Sequence, residues 1–414
     1  VNSSDTLGPW LKGFPPLQAP VPLTDVAQRG WSLGDLPTPL AVVRQAALAH
    51  NIQWMQDFAA ARGVQMAPHG KTTMSPQLFR RQLDAGAWGL TFANVHQLRL
   101  GLAAGARRAL IANQLVSHAD LALLLDLRRR HEGVELAFFV DSQAQLDLIA
   151  ALWPSLGAGE ARLDVLIELG TTRCGVRDHD TGLALARALK THPALRLRGI
   201  GFYEGLQVLG ETEPDTALMQ QWQARVEALL AAIEAEGLVD VQPLWLSGGG
   251  SALFDLVAPV LQGRAGRLGL LRSGCYVCHD HAHYGRYVGV IDRRLGAPSL
   301  QAALEVWTQV LSCPEPGLAL LNAGRRDLSF DQGWPVPVWH QRGGQAAPRG
   351  WQVTGLNDQH GYLRWDPLEC DGPAVGERVA LGPSHPCTTF DKWAWMAVVD
   401  EDDRVVDALT THFA

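Results

Sequence analysis

Cysteine is scarce in this chain. Six residues in 414 (Cys174, Cys275, Cys278, Cys313, Cys370 and Cys387) lack the spacing of a disulfide framework, which points to reduced thiols. No run of about 18 apolar residues occurs, which excludes a membrane-spanning helix. The opening VNSSDTLGPWLKGFPPLQAP has no basic segment followed by an apolar one, so no export leader is expected. Positive charge is not in excess: a formal net charge of −7 and a pI near 6.1 provide no field for nucleic acid or an anionic membrane. Low-complexity tracts and repeats of solenoid period are absent. With 47% hydrophobic and 19% charged residues, the composition is that of a globular cytoplasmic protein with a small-molecule partner. A cysteine with a function here is a ligand or a nucleophile.

What is present is an alternation of short apolar runs and amphipathic stretches from residue 39 to about 285. The strand-like runs are PLAVV (39–43), VQMAPHG (64–70), AWGLTFAN (87–94), ALIAN (109–113), ELAFFVD (135–141), LDVLIEL (163–169), LRGIGFYEG (197–205), PLWLSGGG (243–250) and LGLLRSGCYV (268–277). Helical stretches such as residues 215–237, ending on a glycine, separate them. This is the pattern of an α/β fold with a parallel sheet, a (β/α)8 TIM-type barrel. Nine runs are one too many for eight strands, so PLAVV belongs elsewhere. After residue 290 the sequence turns β-rich, with Trp, Pro and Gly punctuation. The expected division is a barrel over 45–285 and a discontinuous β-domain from 1–44 and 286–414.

Barrel chemistry sits on loops at the C-terminal ends of strands, with phosphate commonly held after strands 7 and 8. The first strand ends in Pro68-His69-Gly70-Lys71, a lysine where the chain is expected to be desolvated. After the seventh, Ser247, Gly248, Gly249, Gly250 and Ser251 offer unobstructed backbone N–H groups before a helix. A lysine at a barrel rim ordinarily snorkels into solvent. Facing a phosphate cradle, it is placed to form a Schiff base with pyridoxal 5'-phosphate (PLP).

PHGKT, IELGTTRCGV, GFYEG, SGGGS, SGCYV and HPC, in that order over nearly the whole chain, resemble the fold-type III PLP enzymes of the D-serine dehydratase and D-threonine aldolase group, relatives of alanine racemase. The resemblance implies that Lys71 carries the cofactor, with His69 in the same motif. It implies that Arg173 and Tyr203 lie near its ring, and that Ser247 to Gly250, Gly274 and Tyr276 hold its phosphate. The chain departs from the commoner family pattern at Ala67, Thr73, Met74 and Leu206, and His360, in NDQHG, matches a further family block without an assigned role.

Two stretches carry metal-ligand residue types. Cys275-x-x-Cys278-His279 matches the c-type haem attachment pattern, but the run falls where strand 8 should present its phosphate ligand, and a zinc site on it lacks a second pair. His385 and Cys387 flank Pro386, so an extended segment would aim both side chains to one side. The resemblance implies an active-site divalent metal on such a pair (Zn, or Mn, Co or Mg), H-x-C in dehydratase-like members and H-x-D in aldolases. The implied function is a PLP- and metal-dependent dehydratase of D-3-hydroxy amino acids such as D-serine, D-threonine or D-threo-3-hydroxyaspartate. D-threonine aldolase-type cleavage is the alternative, and a racemase or a non-catalytic PLP carrier ranks below it. The resemblance also implies a homodimer with active sites between one barrel and the partner's β-domain.

Overall fold

The computed structural model describes residues 6–239, 241–341 and 345–413. Eight parallel strands form one sheet: β1 (Gln65–Met66), β2 (Leu90–Phe92), β3 (Arg108–Gln114), β4 (Glu135–Val140), β5 (Leu163–Leu169), β6 (Leu195–Phe202), β7 (Leu244–Gly248) and β8 (Arg267–Leu271). Neighbours in the chain pair from β2 to β8, β8 pairs with β1, and a parallel bridge between His69 and Thr91 joins β1 to β2 and closes the barrel. Every residue of β5 is buried, as expected for strands covered on both faces. The two faces pack separately. Ala137 and Phe139 of β4 join Leu110, Leu166, Trp245 and Leu270 in one cluster, whereas Leu136, Phe138 and Val140 join the main core. This period-two division fills the barrel interior with side chains and leaves its chemistry to the loops.

The ninth apolar run is a strand, Leu40–Arg44, outside the barrel. It pairs antiparallel with Leu304–Glu315 (β9) and parallel with Trp395–Val399 in a ten-stranded sheet. The helix His283–Leu295 follows β8, so the division expected at residue 285 falls inside a helix. The β-rich part docks on the barrel beside the lysine: Gln77, in the helix Pro76–Asp84, donates to Thr410 Oγ1 at 3.0 Å, and Arg81 pairs with Asp407. Among the described residues no helix is long and apolar enough to cross a membrane.

Candidate active site

The first barrel strand stops at Met66 because Pro68 follows, and the chain then tightens into a 3-10 turn, Gly70–Thr72. Glycine is required at position 70: a Cβ there would lie 2.5 Å from the Phe92 ring and 2.9 Å from that of Phe79. A left-handed residue, Met74 at φ 44°, then directs the chain into the helix that opens at Pro76. Lys71 is exposed at the barrel mouth rather than desolvated, because the turn carries its side chain off the strand end. No ion pair among the described residues ties down its ammonium. His69 Nδ1 is buried with no hydrogen-bond partner. Burial, with Lys71, Arg272 and Arg173 nearby, holds the His69 ring well below the ordinary imidazole range.

The glycine loop after β7 is not solvent-facing. Gly248 and Gly249 are buried. A Cβ on Gly248 would lie 2.5 Å from the Phe202 ring, and one on Gly249, at φ 86°, would meet the Leu271 side chain. Bulky substitutions here therefore damage the barrel wall as well as the loop. The N–H groups of Gly249 and Gly250 donate to the Glu204 carboxylate at 3.2 and 2.7 Å. That glutamate is fully buried, and burial raises its pKa. Ser247 Oγ donates to Leu270 O at 3.3 Å inside the wall, so its side chain does not face the mouth. Gly274 lets the β8 loop press on the lysine turn, since a Cβ there would lie 2.6 Å from Thr72 Oγ1. The buried Tyr276 hydroxyl accepts from Gln82 Nε2 at 3.0 Å.

Arg173 and Tyr203 do meet, with the guanidinium 5.2 Å from the ring centroid, a cation–π distance. Burial pushes the Tyr203 phenol up to about 12. Between the glycine loop and the lysine turn lies Arg272, which sequence reading missed. It is almost wholly buried, donates to Phe202 O, faces Glu204 and Glu168, and has a buried Nε without a partner. Only its place just after an apolar strand could have flagged it. Asp141, Glu168 and Cys174 also cluster, but Asp141 accepts from Gly175 N at 2.8 Å and Glu168 from Gln114 Nε2 at 2.6 Å.

His385 and Cys387 reach this mouth on the chain's own β-rich part, so a partner's β-domain is not needed to bring them there. The segment is not extended: Pro386 is helical (φ −61°, ψ −45°) and caps the short helix Cys387–Phe390. Ser329 Oγ accepts from the backbone N–H groups of Ser384 and His385 and fixes the turn. Cys387 Sγ donates to Thr72 Oγ1 at 3.4 Å, one residue from Lys71. His385 Nδ1 is 2.7 Å from Asp331 Oδ2. Burial would lower the His385 pKa, but contact with Cys387 and Asp331 overrides it and raises the ring to about 9.

A third group was not foreseen. Cys275 Sγ lies 3.4 Å from Cys387 Sγ, and the ligating atoms of Cys275, His385 and Cys387 all lie within 4.8 Å of one another. The Cys275 contact holds the Cys387 thiol well below its ordinary range, and the same contact drives Cys275 well above it. Cys278 is instead buried in the main core, where desolvation raises it to about 12, so the haem-like spacing does not form one site. His360 is exposed in the turn between strands Gln352–Leu356 and Gly361–Arg364.

The model of the alanine racemase N-terminal domain matches residues 43–276, more than half of the chain. The chain belongs to the alanine racemase-like, fold-type III family. This family is PLP-dependent. A second model, described as "Putative serine dehydratase domain", matches residues 303–399. The chain is 29% identical over 381 residues to a D-threonine aldolase of Arthrobacter sp., covering 92% of this chain and 93% of that protein. It is 31% identical over 375 residues to a D-threo-3-hydroxyaspartate dehydratase of Delftia sp. (strain HT23), covering 86% and 92%. Among solved structures, a cysteine-to-alanine mutant of a D-threo-3-hydroxyaspartate dehydratase in the metal-free form superposes with a TM-score of 0.74 at 26% identity, covering 93% of this chain and 100% of that one.

Proposed function

We propose that this member of a PLP-dependent lyase family is a metal-dependent dehydratase of D-3-hydroxy amino acids, releasing a 2-oxo acid and ammonia. The observation that carries the reading is the 3.4 Å contact between Cys387 Sγ and Thr72 Oγ1, which puts a thiol–imidazole pair beside the turn that bears Lys71. A cysteine in this pair parallels the dehydratase relative, whose cysteine-to-alanine mutant is described in a metal-free form. Retro-aldol cleavage to glycine and an aldehyde is the second reading, supported by the match to D-threonine aldolase.

The residues fit both groups. The orphaned His69 Nδ1 and Arg272 Nε are buried polar atoms that await a partner, and Lys71 offers an amine for the carbonyl carbon of PLP. Gly248 and Gly274 would approach the phosphate, while the N–H groups of Gly249 and Gly250 are taken by Glu204, which fixes the loop, and Arg173 and Tyr203 would flank the ring. His385 and Cys387 would hold the metal, His385 through Nε2 because Nδ1 is engaged by Asp331. When bound, PLP supplies the electron sink for a carbanion at the substrate Cα, and the metal the Lewis acidity that makes a β-hydroxyl a feasible leaving group. Lys71 takes the Cα proton as general base.

The same reading takes the protein as a cytoplasmic homodimer. All six cysteines are free, and exposed Leu206, Leu209, Phe330 and Trp334 lie on loops that carry site residues, where a second copy would cover them. Product analysis on D- and L-3-hydroxy amino acids tests the function. Equal amounts of 2-oxo acid and ammonia from D substrates support dehydration, and glycine supports cleavage.

A further inference from the structure

Two weak sequence patterns converge at one point of the fold. Cys275 belongs to a run with no second ligand pair of its own, and His385 with Cys387 forms a pair with no third ligand. The β8 loop and the β-rich part bring them together, with the two sulfurs 3.4 Å apart and the three ligating atoms within 4.8 Å. Two sulfurs each about 2.3 Å from a tetrahedral zinc are separated by roughly 3.8 Å, so a few tenths of an ångström of opening admits the ion.

We infer that Cys275 is a third protein ligand of the metal, completing a Cys2His site with His385 and Cys387. This inference rests on the reading that His385 and Cys387 hold a metal. Cys275 is buried, and its sulfur points at Cys387 and, at 3.9 Å, at Thr72 Oγ1. Gly274 makes that approach possible, because any side chain there would collide with Thr72 and His69. The imidazole is oriented by Asp331, whose other oxygen accepts from Thr388 Oγ1 at 2.7 Å. A carboxylate behind a ligating histidine fixes the ring and its tautomer.

The donor set has two consequences. Two thiolates and an imidazole select zinc over manganese or magnesium, which prefer oxygen ligands. Three protein ligands leave one position of a tetrahedral ion open, the arrangement of catalytic rather than structural zinc. Binding releases the protons of whichever thiols are not already ionised.

X-ray absorption on the zinc-loaded holoenzyme tests this without any substitution. The expected shell is two sulfurs at about 2.3 Å and one protein nitrogen at about 2.0 Å. Cobalt-loaded Cys275→Ala and Cys275→Ser should each lose about half of the thiolate charge-transfer intensity of the unaltered protein. Their zinc affinity, measured against a chromophoric chelator, should fall more than about 100-fold, since loss of a ligand exceeds loss of an outer partner. One sulfur in the zinc shell, with zinc affinity in Cys275→Ala within about threefold of the unaltered protein, would overturn the role of Cys275 and leave the His385–Cys387 pair standing. Failure of the unaltered holoenzyme to bind zinc stoichiometrically, or unchanged affinity in Cys387→Ala, would overturn the underlying pair as well.

Discussion

The Glu204 carboxylate accepts hydrogen bonds from the backbone N–H groups of Gly250, at 2.7 Å, and of Gly249, at 3.2 Å. An acid from the loop after β6 thus holds the glycine loop after β7 in shape from within the protein. Removing it leaves two amides without an acceptor, at about 1–3 kcal/mol for each buried group. Glu204→Ala should therefore lower unfolding stability by a few kcal/mol and weaken PLP binding, while Glu204→Gln, which retains one oxygen acceptor, should lose less. Denaturant unfolding and a PLP titration followed by visible absorbance measure both. Unchanged values in Glu204→Ala would mean that the loop is held by other contacts.

Lys71 is exposed, so its replacement should separate chemistry from folding. Lys71→Ala should change stability by no more than about 0.5 kcal/mol and reduce turnover by at least about a hundredfold. Borohydride reduction of the holoenzyme should place the cofactor on the peptide that contains residue 71. Recovery of the label on another lysine would remove the basis for the assignment.

Asp331 is exposed and contacts His385 Nδ1 at 2.7 Å. In Asp331→Asn the imidazole loses its charged partner, and metal affinity should fall about 10–100-fold with the PLP absorbance retained. Chelator competition measures the first and visible spectroscopy the second. Equal affinity in both proteins would show that the 2.7 Å contact does not prepare the ring.

Asp280 provides a pH test. It is fully buried, accepts from the N–H groups of Ala282 and Tyr284, and is pushed by burial from 3.8 to about 7. A carboxyl whose pKa rises on folding favours the neutral form. Its contribution is therefore complete below about pH 4 and lost as the pH rises to about 7. A rise of about three units corresponds to at most about 4 kcal/mol. Melting temperatures of the unaltered protein should fall across this window more steeply than those of Asp280→Asn. Parallel profiles would assign the pH dependence to other groups.

The barrel was legible because parallel strands buried on both faces read as continuous apolar runs, as in Leu163–Leu169, and the surplus run at residues 39–43 correctly stood apart. Lys71 was legible from the proline and glycine that precede it. Long-range packing hid the rest. Cys275 gains its partner 112 positions away, a distance that no spacing rule spans. The glycine loop reads as open in sequence, but Phe202 and Leu271 from neighbouring strands fill the space beside it. The ligating atoms of His385 and Cys387 are brought within 4.8 Å by a helical turn at Pro386 rather than along an extended chain. Tyr276 matched a motif, and Gln82 claimed its hydroxyl.

The most direct test is the rate of 2-oxo acid release from a D-3-hydroxy amino acid by holoenzyme before chelation, after chelation, and after zinc is returned. Full release with matching ammonia and no glycine is expected, with loss of release on chelation while PLP stays bound and recovery with zinc. Undiminished release by metal-free enzyme, or glycine and an aldehyde as the only products, would contradict metal-dependent dehydration.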